Sequence, residues 1–405
     1  MKAAVIGLGK RGIWLLRDVL THISGLEIIA VCDTEEDRAL NAEIIVREAG
    51  GSAKTFLNYR EALNTAGLDA VFIFTSWEAH TKVALYALNK GIAVASEVGS
   101  EGSIENCFKL VKTQERTGTP YMFMENCCYD RSELLATAMA RDGLFGTIVH
   151  CEGAYAHDLR KEISYGLINR HYRFNHYKTR CLDNYPTHEL GPIARLLGIN
   201  RGNRMISLTS MASKAAGLEE FIAKKDDLPE SVKKTRFKQG DIVDTLIKCE
   251  NGETIHIRLD TTLPRFYNRN FTIRGTKGSY WAANNAVFID GVTEENIWDP
   301  VKSITTLADS AKQYEEKYLP LIWKRVTPEA IEAGHGGMDY MIYNEFVNAL
   351  TNNKPMPIDV YDGAAWMAIG ALSEYSIAHK GAAVKIPDFT HGLYKTRKNI
   401  DVTEL

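Results

Sequence analysis

The segment Asn-Tyr-Pro-Thr-His at residues 184–188 places a phenol and an imidazole three positions apart. Its proline and threonine are typical of a helix start, and an apolar helical pattern continues to Leu197. Tyr185 and His188 are therefore predicted close to the first turn of one helix, where both groups can exchange protons with a single hydroxyl. The alternative is a structural pair beside a helix start, and these residues alone leave both readings open.

A second pattern consists of Gly7, Gly9 and Gly12 in the spacing GxGxxG. It follows a short apolar run and opens a helical pattern, the context in which such a turn binds the pyrophosphate of a dinucleotide at a helix N-terminus. Asp33 lies 21 residues beyond Gly12, at the end of the second predicted strand. Its carboxylate would bind a ribose hydroxyl and repel a 2′-phosphate, so NAD is predicted in preference to NADP. The alternative is a glycine-rich turn without a ligand.

Other polar and aromatic side chains occur where loops are predicted. Two groups follow apolar strands in the first part of the chain, at the strand ends where doubly wound sheets bind their ligands. They are Trp77, Glu78 and His80 in one loop and Glu125 and Asn126 in another. Side chains of the same kinds later in the chain are Tyr155, His157, Arg173 and Tyr267. Taken singly, each could equally be a surface or packing residue.

The first 124 residues alternate short apolar runs with amphipathic helical patterns. The runs predict strands at 2–6, 26–32, 70–74, 93–96 and 121–124, and the helical patterns begin near residues 12, 35, 58, 80 and 103. Nearly all-apolar strands in this order indicate a parallel sheet with helices on both faces. Residues 1–124 are therefore predicted to form an α/β Rossmann domain, a doubly wound fold that binds NAD.

The pattern changes in the rest of the chain. It predicts helices at 132–141, 339–352 and 362–380 and strands at 147–155, 205–210, 241–249, 254–262, 270–275 and 279–281. Strands that follow one another in this way indicate a largely antiparallel open sheet. Residues 125–405 are predicted to form an α+β substrate-binding domain, with a lid insertion at about 296–333 and C-terminal helices that pack back. Because open sheets commonly bury their free face in a subunit interface, a homo-oligomer is expected.

Composition excludes several classes of protein. The chain has 405 residues, of which 45% are apolar and 24% charged, as in folded proteins of two or three domains. Its formal charge of -3 provides no basic excess for nucleic acid, and no apolar stretch is long enough to cross a membrane. The seven cysteines show no zinc-binding spacing, so no metal is predicted and reduced thiols are expected. Because Met1 runs directly into an apolar strand, a cytoplasmic protein is expected; an export signal removed earlier would leave no trace.

Over nearly its whole length the sequence resembles glycoside hydrolase family 109, the NAD-dependent N-acetylhexosaminidases, within the glucose-fructose oxidoreductase/inositol dehydrogenase superfamily. The most specific strings are Asn-Tyr-Pro-Thr-His at 184–188 and Met-Glu-Asn-Cys-Cys-Tyr at 124–129. The others are Gly-Leu-Gly-Lys-Arg-Gly at 7–12, Trp-Glu-Ala-His at 77–80, Glu-Val at 97–98, Glu-Gly-Ala-Tyr-Ala-His-Asp at 152–158, Pro-Arg-Phe-Tyr at 264–267, His-Gly-Gly-Met-Asp at 335–339 and Asp-Val-Tyr-Asp at 359–362.

The resemblance implies a cofactor site and a sugar site. The residues implied for NAD are those of the glycine turn and eight others. They are Gly7, Gly9, Gly12, Arg11, Asp33, Trp77, Glu78, His80, Glu97, Val98 and Asn126. The residues implied for the sugar are Tyr155, Arg173, Tyr185, Pro186, Thr187, His188 and Tyr267. The sequence departs from the usual family pattern at two places: it has Gly99-Ser100 where Pro-Ala is usual, and Ala79 where Trp is common. By the resemblance, both places border the nicotinamide end of the cofactor site. They therefore bear on cofactor geometry and sugar preference.

The implied reaction is hydrolysis of N-acetylgalactosaminide-type glycosides by C3 oxidation, C1–C2 elimination, water addition and re-reduction, with NAD recycled. His188 or Tyr185 would take the C3 hydroxyl proton, and Tyr155 or Tyr185 would act near C2. Dehydrogenases of the superfamily have a lysine and an aspartate where this chain has Val98 and Asn184, which argues against net oxidation. The alternatives are an NAD-dependent sugar dehydrogenase, which would accumulate NADH, and a non-catalytic regulator that binds NAD or sugar.

Overall fold

The structure is a computed structural model that describes residues 1–293, 298–332 and 334–400. The chain divides into two compact units. The first consists mainly of Met1–Tyr129 and Arg325–Met367, and the second mainly of Asp130–Lys324 and Ala368–Asn399. Residues 296, 297 and 333 of the predicted lid insertion lie outside the described residues. In the described part of the chain, no helix is long and apolar enough to span a bilayer.

The first unit contains a six-stranded sheet in which all neighbouring strands are parallel. Its strands, in the order β3-β2-β1-β4-β5-β6, are β1 (Lys2–Ile6), β2 (Glu27–Cys32), β3 (Lys54–Phe56), β4 (Ala70–Ile73), β5 (Ala93–Ser96) and β6 (Tyr121–Phe123). The intervening helices are α1 (Lys10–Asp18), α2 (Glu36–Glu48), α3 (Tyr59–Ala62), α4 (Trp77–Asn89) and α5 (Ile104–Thr117). The predicted Rossmann fold is confirmed.

This topology explains where a ligand would bind. The strand order reverses between β1 and β4, and ligands of doubly wound sheets bind outside the carboxyl ends of the strands at that point. The segments predicted to contact the cofactor follow the carboxyl ends of β1, β2, β4, β5 and β6. Five separate sequence segments are thus brought to one edge of one sheet.

The second unit contains an eight-stranded sheet, in which only β7 and β10 are parallel neighbours. Its strands, in the order β13-β12-β11-β7-β10-β9-β8-β14, are β7 (Ile148–Ala156), β8 (Met205–Ala212), β9 (Ile242–Cys249), β10 (Thr254–Asp260), β11 (Thr272–Gly275), β12 (Gly278–Trp281), β13 (Ala286–Ile289) and β14 (Val384–Lys385). The predicted α+β fold with a largely antiparallel sheet is confirmed, although β13 and β14 were not predicted.

Nine α-helices lie wholly within the described residues of this second unit. They are α6 (Arg131–Arg141), α7 (Arg160–Ser164), α8 (Arg173–Thr179), α9 (Thr187–Leu196), α10 (Gly217–Ala223), α11 (Glu230–Lys233), α12 (Pro300–Leu307), α13 (Glu315–Tyr318) and α14 (Leu321–Lys324). Helix α9 packs closely on β7 because Gly153 has no side chain, and a Cβ there would lie 2.8 Å from Cβ of Glu189. The start of α9 is therefore held beside the end of β7.

The C-terminal helices are α15 (Pro328–Glu332), α16 (Met338–Thr351) and α17 (Val360–Ala378). The sequence places residues 325–367 in the second domain, whereas the structure groups them with the first unit. Aromatic packing explains the difference, because the Tyr343 and Phe346 rings of α16 lie 5.8 Å and 5.5 Å from the Phe72 ring of β4. Short 3-10 helices occupy Leu20–His22, Asn126–Tyr129, Ala282–Asn284, Ser310–Tyr314, His335–Gly337 and Leu393–Lys395.

Candidate active site

The glycine turn after β1 combines close packing with open space. Gly7 has a φ of +94°, which favours glycine, and a Cβ on Gly12 would lie 2.0 Å from the carbonyl oxygen of Gly7. Gly9 differs, because among the described residues a Cβ there would meet only the guanidinium of Arg38, at 3.8 Å. Two glycines close the turn, and the third leaves room at the N-terminus of α1. This arrangement fits the pyrophosphate of NAD.

Asp33 is held rigidly at the end of β2. Its Oδ2 accepts a hydrogen bond from the Leu8 backbone N–H at 2.6 Å, and its Oδ1 accepts one from the Glu35 N–H at 2.9 Å. Oδ1 is also approached by the Thr34 hydroxyl at 3.5 Å, whereas Oδ2 retains a further lone pair, which is what a ribose hydroxyl would use. The side chain is buried, so its negative charge would be costly to place beside a 2′-phosphate.

The loop after β4 brings two of its three predicted residues inward. Trp77 and His80 are buried in the first turn of α4, and His80 Nε2 lies 2.9 Å from the Thr75 carbonyl oxygen. Burial lowers the pKa of His80, so its imidazole is neutral at pH 7. Glu78 is exposed.

Gly99 explains one departure from the family pattern. Its φ is +155°, and a Cβ on it would lie 2.2 Å from Cδ1 of Trp77. The indole therefore fills the space that a proline at position 99 would need. Val98, in the position of the dehydrogenase lysine, is buried, and its backbone N–H donates to Oε1 of Glu97 at 3.1 Å.

In the second unit, three rings from the predicted sugar site contact one another. The ring centroids of Tyr155 and Tyr185 lie 4.4 Å apart, those of Tyr185 and His188 4.8 Å, and those of Tyr155 and His188 5.4 Å. Tyr155 lies at the end of β7, and α9 begins at Thr187 as the proline and threonine predict. We call Tyr155, Tyr185 and His188 the ring cluster.

His157 extends the ring cluster. Its Nδ1 lies 3.2 Å from the phenolic oxygen of Tyr155, and its ring packs edge-on against Tyr267 with centroids 5.2 Å apart. Burial, followed by the positive charge of Arg173, lowers the pKa of His157, so the ring is neutral at pH 7. Sequence reasoning placed His157 in a loop without a role. Its spacing of two from Tyr155 on an extended segment was the available signal, because such residues share a face.

Tyr267 reaches this position because its loop pairs with β7. Asn268 and Ala156 exchange backbone hydrogen bonds of 3.0 and 3.2 Å. The Tyr267 hydroxyl accepts a hydrogen bond of 3.3 Å from Nη1 of Arg269, and Arg269 is itself anchored by ion pairs to Asp130 and Glu133. The half-exposed Tyr267 ring is thus held in place by its loop and by Arg269.

Arg173 and the two residues between Tyr185 and His188 complete the predicted sugar site. Arg173 is buried, donates through Nη1 to Oε1 of Glu162 at 2.6 Å, and lies with Cζ 5.4 Å from the Tyr185 ring centroid. Pro186 and Thr187 are buried at the start of α9. All seven residues predicted for the sugar therefore come together within one unit.

Asn184 occupies the position of the dehydrogenase aspartate and is fully buried. Its Oδ1 accepts from the Tyr177 hydroxyl at 3.3 Å, and its Nδ2 donates to Gln239 Oε1 at 3.3 Å. Both polar atoms of the Asn184 side chain therefore form hydrogen bonds with neutral groups. An amide in this setting carries no proton that could be relayed to an alcohol.

Known proteins provide independent information on the family. Residues 129–396 match the family model "Glycosyl hydrolase 109, C-terminal domain", and residues 1–124 match "Oxidoreductase family, NAD-binding Rossmann fold". A glycosyl hydrolase family 109 protein of Stenotrophomonas maltophilia is 39% identical over 425 residues, covering 99% of this chain and 91% of the relative. An alpha-N-acetylgalactosaminidase of Tannerella forsythia is 37% identical over 422 residues, covering 98% of this chain and 88% of the relative.

A solved structure shows the same fold. Levoglucosan dehydrogenase in complex with NADH and levoglucosan superposes with a TM-score of 0.71 at 16% identity, covering 96% of this chain and 99% of that one. At this identity the similarity concerns the fold alone. The family models and the relatives, which span nearly the whole chain, show that it belongs to glycosyl hydrolase family 109 and that its first domain is an NAD-binding Rossmann domain.

Proposed function

We propose that this protein is an NAD-dependent glycosidase that hydrolyses terminal N-acetylhexosamine glycosides of the N-acetylgalactosaminide type. Membership of family 109 and the similarity to an alpha-N-acetylgalactosaminidase support the reaction and the substrate class. The observation that carries the proposal is the ring cluster with its Tyr155–His157 hydrogen bond, which supplies proton-transfer groups without a lysine or aspartate relay.

NAD, when bound, supplies a recycled two-electron acceptor for C3 of the sugar, and the resulting ketone makes the C2 hydrogen acidic. The Rossmann residues have the task of binding and orienting it. Gly9 leaves room for the pyrophosphate, and Asp33 offers a fixed carboxylate to the ribose. Trp77 fills the space beside Gly99.

Tyr155 is proposed as the base for the C2 proton. A neutral phenol has no free pair basic enough for this task, but its proton can move to His157 Nδ1 while its oxygen takes the proton from C2. The electrons of the broken C2–H bond form the C1–C2 double bond as the C1–O bond breaks, and the aglycone oxygen leaves with the C1–O electron pair and takes a proton from water. The neutral state of His157 matters, because an imidazolium could not accept the proton.

His188 is proposed to handle the proton of the C3 hydroxyl. It lies in the first turn of α9 with its ring against both tyrosines, so its orientation is fixed by packing. Tyr185 is positioned by the guanidinium of Arg173, which in turn is held by Glu162. Tyr267 provides a partly exposed ring face of the kind on which sugars stack.

A homo-oligomer is proposed as the assembled form. One face of the second sheet carries the exposed side chains of Met211 and Leu246 beside a charged group in which Asp244 pairs with His256 and Arg258. A second copy would cover these apolar side chains. Light scattering on the purified protein and on Leu246→Glu tests this, and a wild-type monomer would contradict it.

The function is tested with a panel of α- and β-linked nitrophenyl N-acetylhexosaminides, assayed with and without added NAD+ after removal of bound cofactor. The proposal predicts nitrophenol release that requires NAD+ and selects one anomer. Free N-acetylhexosamines in the same buffer form the comparison. NADH accumulating in proportion to free sugar, without cleavage of any glycoside, would indicate the dehydrogenase instead.

A further inference from the structure

Asp339, in the first turn of α16, lies at the centre of a buried network, and neither the sequence nor the comparisons give it a role. Its side chain is fully buried. Its Oδ1 accepts hydrogen bonds from Arg11 Nη2 at 2.7 Å and from Asn126 Nδ2 at 2.8 Å. Its Oδ2 accepts from Arg11 Nη1 at 2.9 Å and from His335 Nδ1 at 2.7 Å. Four donors therefore occupy this carboxylate.

The guanidinium of Arg11 also forms hydrogen bonds on its other edge. Its Nε donates to Oε2 of Glu97 at 2.8 Å, and the Tyr343 hydroxyl approaches the same oxygen at 3.4 Å. All three nitrogens of Arg11 thus serve two carboxylates, one after β5 and one on α16. Such a guanidinium neutralises buried carboxylates and has little charge left to attract a phosphate.

The turn before α16 fixes this arrangement from outside. His335 donates its Nδ1 proton to Asp339, so its approach of 3.3 Å to Arg11 Nη1 brings two donors together and adds no hydrogen bond. Trp14 of α1 packs under both groups, with Arg11 Cζ 5.0 Å and the His335 ring 5.3 Å from its ring centroid. A Cβ on Gly334 would lie 2.4 Å from the Trp14 ring.

We propose that Asp339 is a positioning residue of the NAD site. Through Arg11 it fixes the first turn of α1, which follows Gly9, and through Asn126 it fixes the segment after β6. Two of the residues predicted to contact the cofactor, Arg11 and Asn126, are thus held in one geometry by a residue more than 200 positions away. Arg11 therefore acts by fixing the glycine turn. Its positive charge neutralises Glu97 and Asp339 and does not serve to attract the cofactor phosphates.

The inference rests on the proposed NAD site and is tested by binding. Dissociation constants for NAD+ are measured by calorimetric titration of the cofactor-free full-length protein, and melting temperatures are measured on the same samples. Asp339→Asn keeps the shape but removes the charge, and Arg11→Lys keeps the charge but removes the two-pronged contact. Both variants are expected to bind NAD+ about 10-fold or more weakly, which corresponds to loss of a charge-assisted hydrogen-bonded pair.

Asp241→Asn is the matched control. Asp241 is a buried carboxylate of the second unit that accepts from the Ala216 and Gly217 N–H groups at 2.8 and 2.9 Å and from Thr262 Oγ1 at 2.6 Å. Its loss is expected to lower the melting temperature and leave NAD+ affinity unchanged. If Asp339→Asn behaves in the same way, Asp339 is merely structural and the proposal is overturned.

A double-mutant cycle tests whether Asp339 acts through Arg11. In an Arg11→Ala background, Asp339→Asn is expected to weaken NAD+ binding by less than about threefold, because the partner it positions is gone. An equal loss in both backgrounds would contradict the route through Arg11. If Asp339→Asn does not fold, the NAD+ dissociation constants of Arg11→Lys and Asn126→Ala are measured instead, since both variants weaken the same network at the partners of Asp339. A wild-type protein that binds no NAD+ would overturn the cofactor site itself, which distinguishes that failure from failure of this inference.

Discussion

The phenolic oxygen of Tyr155 lies 3.2 Å from Nδ1 of His157, two residues further along the same extended segment. Tyr155 is buried against the core of the second unit, and His157 is held between Tyr155 and Tyr267. The pair therefore links a phenol predicted to contact the sugar to an imidazole whose pKa is lowered by burial. This link supports Tyr155 as the proposed C2 base.

Tyr155→Phe keeps the ring and deletes only the hydroxyl. We expect kcat to fall by roughly 10²- to 10⁴-fold, as for a lost general base, with little change in melting temperature. Steady-state kinetics on the nitrophenyl substrate checks this. Tyr267→Phe is the control: it removes a hydroxyl that accepts a hydrogen bond from the Arg269 side chain, and it should alter KM more than kcat.

The same pair predicts a pH dependence. Because the pKa of folded His157 is lowered below its ordinary value of 6.5, the imidazole stays neutral at pH 7 and becomes protonated only under more acidic conditions. The rate should therefore fall on the acid side with a midpoint below 6.5. His157→Gln should lower the rate and flatten this acid limb, and an unchanged limb would show that another group titrates.

His188→Ala tests the group assigned to the C3 hydroxyl. Turnover should fall by about 10²- to 10⁴-fold. NAD+ binding and melting temperature should change little, since the side chain is only partly buried. Tyr185→Phe is the companion variant. An active but destabilised His188→Ala protein would show a structural histidine beside the helix start and would remove it from the reaction.

Asp33→Asn tests the choice of cofactor. The variant can still accept from the Leu8 N–H through its remaining oxygen, so the glycine turn should persist while the negative charge is lost. The preference for NAD+ over NADP+, measured as the ratio of the two affinities, should decrease because repulsion of the 2′-phosphate disappears. Equal affinity of the wild-type protein for both dinucleotides would contradict the role of this carboxylate.

Much of this arrangement could be predicted from local sequence. Alternating apolar runs indicate the Rossmann strands, and Pro186 with Thr187 marks the start of α9 correctly. Strand β3 was missed because its residues are exposed or only partly buried, so it lacks an apolar run. The Asp339–Arg11 contact joins residues 328 positions apart, and no local pattern indicates a pairing at that distance.

Burial likewise cannot be read from the sequence around Asp183. This carboxyl is fully buried one residue before Asn184, with its backbone N–H donating to Ser373 Oγ at 2.9 Å and its Oδ2 accepting from Thr245 Oγ1 at 3.4 Å. Burial raises its pKa to about 7, from 3.8. Nothing in a strand-and-helix pattern distinguishes it from a surface aspartate.

The raised pKa of Asp183 predicts how stability depends on pH. Between about pH 4 and pH 7 the folded protein keeps a proton that the unfolded chain has released, so stability falls as pH rises through this range. Asp183→Asn lacks this titration. Relative to wild type it should therefore gain roughly 2–3 kcal/mol between pH 5 and pH 8 in urea unfolding. If the free energies of unfolding of Asp183→Asn and wild type differ by the same amount at pH 5 and pH 8, the carboxyl is not buried and protonated.

The central claim is that glycoside cleavage proceeds by removal and return of the C2 proton within the ring cluster. The most direct measurement is NMR of the N-acetylhexosamine released in D2O, with the rate compared for substrate carrying hydrogen or deuterium at C2. The account predicts deuterium at C2 of the product and slower turnover of the C2-deuterated substrate. A product fully protonated at C2, formed at the same rate from both substrates, would show direct displacement at C1 and contradict it.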